Sequence, residues 1–272
     1  MASSDYVLYQ YTPSLVAAVV FAVLFFLTTA FHLWQRIRNH TKYFNPFVVG
    51  GIFQIIGYIA RAASHFHTTS TILYALQTLL VLLAPTLYAA SIYMVLGRAI
   101  TFLRGQHLSY VPVKYMTKIF VLGDVLSFIL QGAGGGVMSS GSGNMLTVGQ
   151  WIIVAGLGVQ LVFFGAFLVT SICFHCRITL SPTQEAKDST DISAFFPPVL
   201  ILIRSIYRII EFAQGNSGYV ISHEVFLYVF DASMMFLVMI VMNLFHPSVV
   251  LRSSEAPVSA ELKMVESEET IV

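Results

Sequence analysis

The sequence predicts an all-α integral membrane protein: a bundle of seven transmembrane helices with its N-terminus outside and its C-terminus in the cytoplasm. Three observations carry this. Of 272 residues, 57% are hydrophobic and only 10% are charged, against about 25% charged in a soluble domain, so there is too little polar surface to wrap the apolar content in water. Apolar runs of about 20 residues recur, the length that crosses a hydrocarbon core as a helix, and a helix closes its backbone hydrogen bonds within one segment. The lysines and arginines sort to alternate connections.

Span 1 is read over Pro13–Gln35. Residues 1–12 before it form an extracellular tail without a basic n-region, and the run is too long for the core of a signal peptide. Span 2 covers Pro46–Phe66 and contains Arg61. Span 3, Ile72–Phe102, is long and holds Pro85, which removes one backbone hydrogen bond and predicts a kink, or a hinge for alternating access. Span 4, Lys118–Met138, ends in Gly132, Gly134, Gly135 and Gly136. A phosphate cradle would need a helix N-terminus after it, so these glycines predict a flexible turn that allows close packing.

Span 5, Val148–Cys173, runs into "CFHC" at 173–176. One C-x-x-C is half of a zinc site and no second half exists, which leaves reduced thiols or juxtamembrane palmitoylation. Span 6, Ala194–Ala213, carries Pro197 and Pro198 in its first turn, where proline is tolerated. Span 7 is His223–His246. Residues 13–247 thus form one membrane domain without internal repeats, and 248–272, with five glutamates, read as a disordered cytoplasmic tail.

Orientation follows from the cations. Arg36, Arg38 and Lys42 follow span 1. Arg98, Arg104, Lys114 and Lys118 lie between spans 3 and 4. Arg177 and Lys187 follow span 5, and Arg252 and Lys263 lie in the tail. The N-terminal tail and the loops after spans 2, 4 and 6 carry none, which puts the basic side in the cytoplasm. The sequon at Asn39 then faces the cytoplasm and stays unglycosylated.

A net charge of +1 excludes a nucleic-acid surface. Two cysteines exclude a disulfide framework. No P-loop motif is present, which argues against direct ATP-driven pumping. His32, His175 and His246 sit at the cytoplasmic ends of spans 1, 5 and 7 without fixed ligand spacing, and read as interfacial histidines. No metal and no cofactor is called for.

Only Arg61, Arg204 and Arg208 lie inside spans. Arg204, Arg208 and Glu211 are spaced i, i+4, i+7, one face of a helix. From Ala194, a rise of ~1.5 Å per residue places Arg204 about 15 Å deep, near mid-membrane. A central arginine costs roughly 2.5–3.5 kcal/mol, whereas each large aliphatic residue returns ~0.3–0.6. The stripe must therefore face the bundle interior and find partners. Neighbouring spans offer them. Glu224, Tyr228 and Asp231 share a face of span 7. Gln54, Tyr58, Arg61 and His65 share a face of span 2. Span 3 has Gln77, Tyr88 and Ser91, span 4 has Asp124, Ser127 and Gln131, and span 5 has Gln160. These seams predict one internal polar cavity opening outward. Two readings stand: structural ion pairs that fix helix register, or a site that grips a substrate. Asp124, about 9 Å from the cytoplasmic start of span 4, could pair across the bundle or accept a proton.

The motifs "GYIARAASH" (57–65), "LLAPTLYAASIYMVLGR" (82–98), "KIFVLGDVLSFILQGAGGG" (118–136), "GLGVQLVFFG" (156–165), "LILIRSIYRIIEFAQG" (200–215), "EVFLYVFDA" (224–232) and "HP" (246–247) closely resemble the fungal lipid-translocating exporter family, the aminocholesterol-resistance, sphingoid-base-release and protoporphyrin-uptake proteins. The resemblance runs through spans 2–7 in order. It implies a seven-span protein of the plasma membrane or endomembranes that moves amphipathic molecules or confers resistance to them, with membrane lipids and a small amphipathic substrate as partners. The expected function is a non-enzymatic lipid or amphiphile translocator. The alternatives are a seven-span lipid-stress sensor and, more remotely, a membrane zinc hydrolase. The expected substrate contacts are Gln54, Tyr58, Arg61, Gln77, Asp124, Gln131, Gln160, Arg204, Arg208, Glu211, Glu224 and Asp231. The acidic members suit an amine and the arginines a phosphate or carboxylate.

Overall fold

In the computed structural model, residues 11–109, 112–138, 143–180, 196–215 and 218–245 are described. Among them the chain is helical and contains no strand. Seven helices follow one another: α1 Leu15–Arg38, α2 Asn45–Ser64, α3 Thr71–Phe102, α4 Val113–Met138, α5 Gly143–Leu180, α6 Phe196–Ala213 and α7 Glu224–Leu244. Short 3-10 turns, Lys42–Phe44 and Gln106–Leu108, lie in the connections. The Ser14 hydroxyl caps α1 by accepting from the Ala17 amide, and Ser70 caps α3 through Leu73. Each side chain satisfies a first-turn donor that the helix itself leaves open.

Successive helices pack as neighbours, and α7 closes the bundle against α1 and α6. The exterior is apolar: Val20, Leu27, Leu122, Ile129, Val162 and Val169 are all exposed. Such a surface is stable only against lipid, so the fold is a helical membrane bundle. Among the described residues, six helices are long and apolar enough to cross a membrane. The exception is α6. Its 18 residues include Arg204, Arg208 and Glu211, and it is built inside out. Ile203, Ile206 and Ile210 are exposed, whereas Arg204, Ser205, Tyr207, Arg208 and Glu211 are buried. The stripe does face the interior, as its insertion cost requires.

Several boundaries differ from the sequence reading. α4 begins at Val113 and α5 runs from Gly143 to Leu180, because helices continue past the hydrocarbon run wherever no breaker stops them. The four glycines lie within α4 and do not form a turn. Gly134 shows why one of them is needed: a Cβ there would stand 2.6 Å from the Gly149 carbonyl oxygen of α5. Pro85 interrupts no element, since α3 is continuous through it. His32 packs inside the bundle: it is fully buried, and its Nε2 donates to the Met239 carbonyl at 3.0 Å, tying α1 to α7. Residues 248–272, His246 and most of the N-terminal tail lie outside the described residues.

Candidate functional site

The intramembrane charges gather at the junction of α2, α6 and α7. Asp231, fully buried, is the hub. One of its oxygens accepts from Arg204 Nε and the other from Arg208 Nη2. Arg204 also donates to the Val81 carbonyl of α3 at 3.0 Å. Arg208 donates through Nη1 to Glu211 at 2.7 Å, and Glu211 accepts in addition from the Tyr207 hydroxyl at 3.3 Å. The order Arg204, Asp231, Arg208, Glu211 alternates in sign, so each charge stabilises its neighbours where water cannot.

A second pair lies one to two turns along α7. Arg61 donates to Glu224 at 2.8 Å, to the Tyr228 hydroxyl at 3.1 Å and to the Tyr11 hydroxyl at 2.9 Å. Both Glu224 oxygens accept from the Ser14 amide, at 2.9 and 3.0 Å. His65 donates to the Pro13 carbonyl at 2.8 Å. The chain at 11–14 is thereby strapped over the end of the network. Burial pushes the Tyr11 hydroxyl above its ordinary pKa against the pull of Arg61, which keeps it neutral and able to accept.

The sequence reading placed Glu224 and Asp231 on one face of a regular helix. They instead serve different partners, Glu224 meeting α2 and Asp231 meeting α6. Residues Tyr228–Ala232 form a π-helical turn. The wider turn breaks the regular register between the two carboxylates and places Asp231 toward both α6 arginines. Such insertions are rare and concentrate at functional sites.

The network is balanced, three arginines against three carboxylates, yet its polar capacity is not used up. Tyr58 lies in the electrostatic field of Asp231, Arg61 and Arg208, and its hydroxyl has no hydrogen-bond partner. Both polar atoms of Gln54, one turn away and 0% exposed, lack partners, as does Arg208 Nε. Buried polar groups are normally bonded, so these atoms mark a place where a polar ligand or water would be bound.

Of the other expected contacts, Asp124, Gln131 and Gln160 bond to neighbours outside this network. Gln77 is buried on α3, where its backbone carbonyl faces Gly57 of α2. Gln131 donates to Ser127 at 2.6 Å and to Gln160 at 3.2 Å, and Ser127 donates to the Gly156 carbonyl at 2.7 Å. These bonds stitch α4 to α5. Asp124 accepts from the Tyr93 hydroxyl of α3 at 3.0 Å. The seams therefore form separate polar groups in place of the single converging set that the sequence predicted, because the partners nearest in the bundle consume each other. Sequence reasoning missed Tyr11, Ser14, Tyr93 and Tyr207. With 13 tyrosines in the chain, only the i, i+4 spacing of Tyr207 and Glu211 offered a signal.

The profile of the family described as "RTA1 like protein" matches residues 47–254. The protoporphyrin uptake protein 1 of Saccharomyces cerevisiae is 40% identical over 281 residues, covering 87% of this chain and 91% of that protein. Protein RTA1 of the same species is 34% identical over 96% of this chain and 92% of its own. The sphingoid long-chain base transporter RSB1 of S. cerevisiae Lalvin EC1118 is 25% identical over 91% of this chain and 75% of its own. No solved structure matches.

Proposed function

This chain belongs to the RTA1-like family of fungal membrane proteins, and from that premise we propose that it is a non-enzymatic translocator of lipid-like amphipathic molecules. We infer that all seven helices cross the membrane, with the N-terminus outside, the basic connections in the cytoplasm, and the plasma membrane as the site of action. Two relatives are named as lipid or sphingoid-base transporters, which supports a lipid-class substrate here. The α6 charges are affordable in a bilayer only when they face protein. The Arg36–Lys42 and Arg98–Lys118 segments fit a cytoplasmic side.

One observation carries the reading. A charge-balanced network lies inside the bundle beside polar atoms that nothing satisfies, those of Gln54, Tyr58 and Arg208 Nε. A polar headgroup entering there gains hydrogen bonds that cost no existing pair, while its apolar tail stays toward lipid. The paired arginines and carboxylates set the field of the site.

The unpartnered residues give the test. Gln54→Leu and Tyr58→Phe remove no intramolecular hydrogen bond, so both variants are expected to fold. Each is expected to lower flux of a fluorescent sphingoid base or sterol-like amine in proteoliposomes about tenfold, the value of one hydrogen bond to a charged group. Full flux in both variants would remove the headgroup site. Binding of the probe by the unaltered protein without flux would replace the translocator by a lipid sensor.

A further inference from the structure

Four acidic residues are described in the bundle. Three of them, Glu211, Glu224 and Asp231, meet an arginine. Asp124 does not. It is 3% exposed; one oxygen accepts from Tyr93, and the other, Oδ1, has no partner. Tyr93 lies twelve residues along α3 from Val81, whose carbonyl receives Arg204, so the carboxyl stands about 18 Å from the arginine network along that helix.

Among the described residues, those packed around Asp124 offer no positive charge to compensate a carboxylate. α3 presents Tyr93, and Arg98 farther along it stacks on Tyr43. α5 presents Phe163 against Gly123, and Phe164 and Phe167 against the Tyr93 ring. It carries no charged residue from Gly143 to Cys173. On α4 itself the nearest cation, Lys118, is six residues away and exposed. The arginines of α6 are committed to Asp231 and Glu211. The polar contact to Asp124 is the Tyr93 hydroxyl at 3.0 Å.

An isolated carboxylate in such a medium is prohibitively costly. A Ca²⁺ or Mg²⁺ ion would require six or more oxygen ligands, which phenylalanine rings cannot supply. A proton requires no added volume. We propose that Asp124 is a reversible proton-binding site and that its proton exchange is coupled to translocation. A proton delivered by hydronium forms an O–H bond at Oδ1 and leaves water, converting the carboxylate to a neutral acid; release to water regenerates hydronium and restores the charge. Because Tyr93 links this carboxyl to α3, and α4 packs tightly on α5 through Gly123 and Gly134, gain or loss of charge alters how three helices meet. The coupling rests on the translocator reading. The proton site does not.

Two measurements separate them. Infrared spectroscopy of the full chain in nanodiscs should show a protonated-carboxyl C=O band at neutral pH that disappears on alkalinisation, is absent in Asp124→Asn and is retained, shifted, in Asp124→Glu. The same band in Asp124→Asn would overturn the proton site. In proteoliposomes, flux of a fluorescent sphingoid base should respond to an imposed pH gradient in the unaltered protein and in Asp124→Glu, and not in Asp124→Asn. A band that behaves as expected with flux indifferent to the gradient would overturn the coupling and leave the site. Absence of flux under all conditions would overturn the translocator reading and the coupling together, while the band still decides the site.

Discussion

Asp231 and Asp124 are both aspartates buried in the same bundle, and they solve opposite problems. Asp231 sits in a π-helical turn and holds two arginines of α6. Asp124 sits in a regular helix among aromatic rings and holds one tyrosine hydroxyl. The first is bonded to two arginines and ties α7 to α6. The second has no cation to balance it, and the α4–α5 contact around it is closed by glycines and phenylalanines. The difference teaches that burial of a carboxylate does not define its role; the count of cations around it does.

Breaking the hub should produce the largest effect. Asp231→Asn leaves Arg204 and Arg208 buried without their shared counter-charge, and removing one partner of a buried ion pair costs about 3–5 kcal/mol. For a membrane bundle this is a large fraction of its stability. The expected outcome is a strongly lowered midpoint of thermal unfolding in detergent, with much of the protein lost to aggregation on size exclusion. A midpoint near that of the unaltered protein would mean that the arginines find other acceptors, and that Asp231 does not organise the junction.

The Arg61–Glu224 pair should be worth less, since the Glu224 side chain keeps 16% of its exposure. Arg61→Met removes three hydrogen bonds, but water can reach the stranded carboxylate, and a loss of about 1.5–3 kcal/mol is expected. Adding Glu224→Gln should recover part of it, because removing both partners of a pair costs less than removing one. A double-mutant cycle measured by thermal unfolding checks this. Failure of the second substitution to recover any stability would place the worth of Arg61 in Tyr11 and Tyr228, and hence in the strap at 11–14.

Much of this was legible in the sequence, and the unread part has a physical cause. The i, i+4, i+7 stripe of α6 required an interior position on cost alone, and the structure gives it one. The acidic partner on the last helix was visible as Asp231. Helix periodicity, however, assumes a regular helix. The π-helical turn at Tyr228–Ala232 carries no sequence signature, so Glu224 and Asp231 were assigned one shared role when they serve α2 and α6 separately. The four glycines of α4 do not form the turn expected of them, whereas the close packing expected of them is present at Gly134, where a Cβ would stand 2.6 Å from the Gly149 carbonyl oxygen. Contacts between distant segments, such as Ser14 with Glu224 or Tyr93 with Asp124, have no local pattern to announce them.

The smallest expected change in stability comes from Asp124→Asn, and its smallness is informative. An amide is nearly isosteric with a protonated carboxyl and can still accept from the Tyr93 hydroxyl. If Asp124 holds a proton, the substitution exchanges one neutral group for another, and the unfolding midpoint at neutral pH should stay within about 0.5 kcal/mol of the original, the range of a substitution that breaks no interaction. Tyr93→Phe, which does remove the hydrogen bond, should cost about 0.5–1.5 kcal/mol. The ranking therefore runs Asp231→Asn far above Tyr93→Phe, and Tyr93→Phe above Asp124→Asn. Were Asp124 an ionised member of a charge network, its replacement would strand a cation and cost as much as the loss of Asp231. Thermal unfolding of the three variants side by side distinguishes these orders directly, since a protonated aspartate can be exchanged for asparagine without penalty and a paired one cannot.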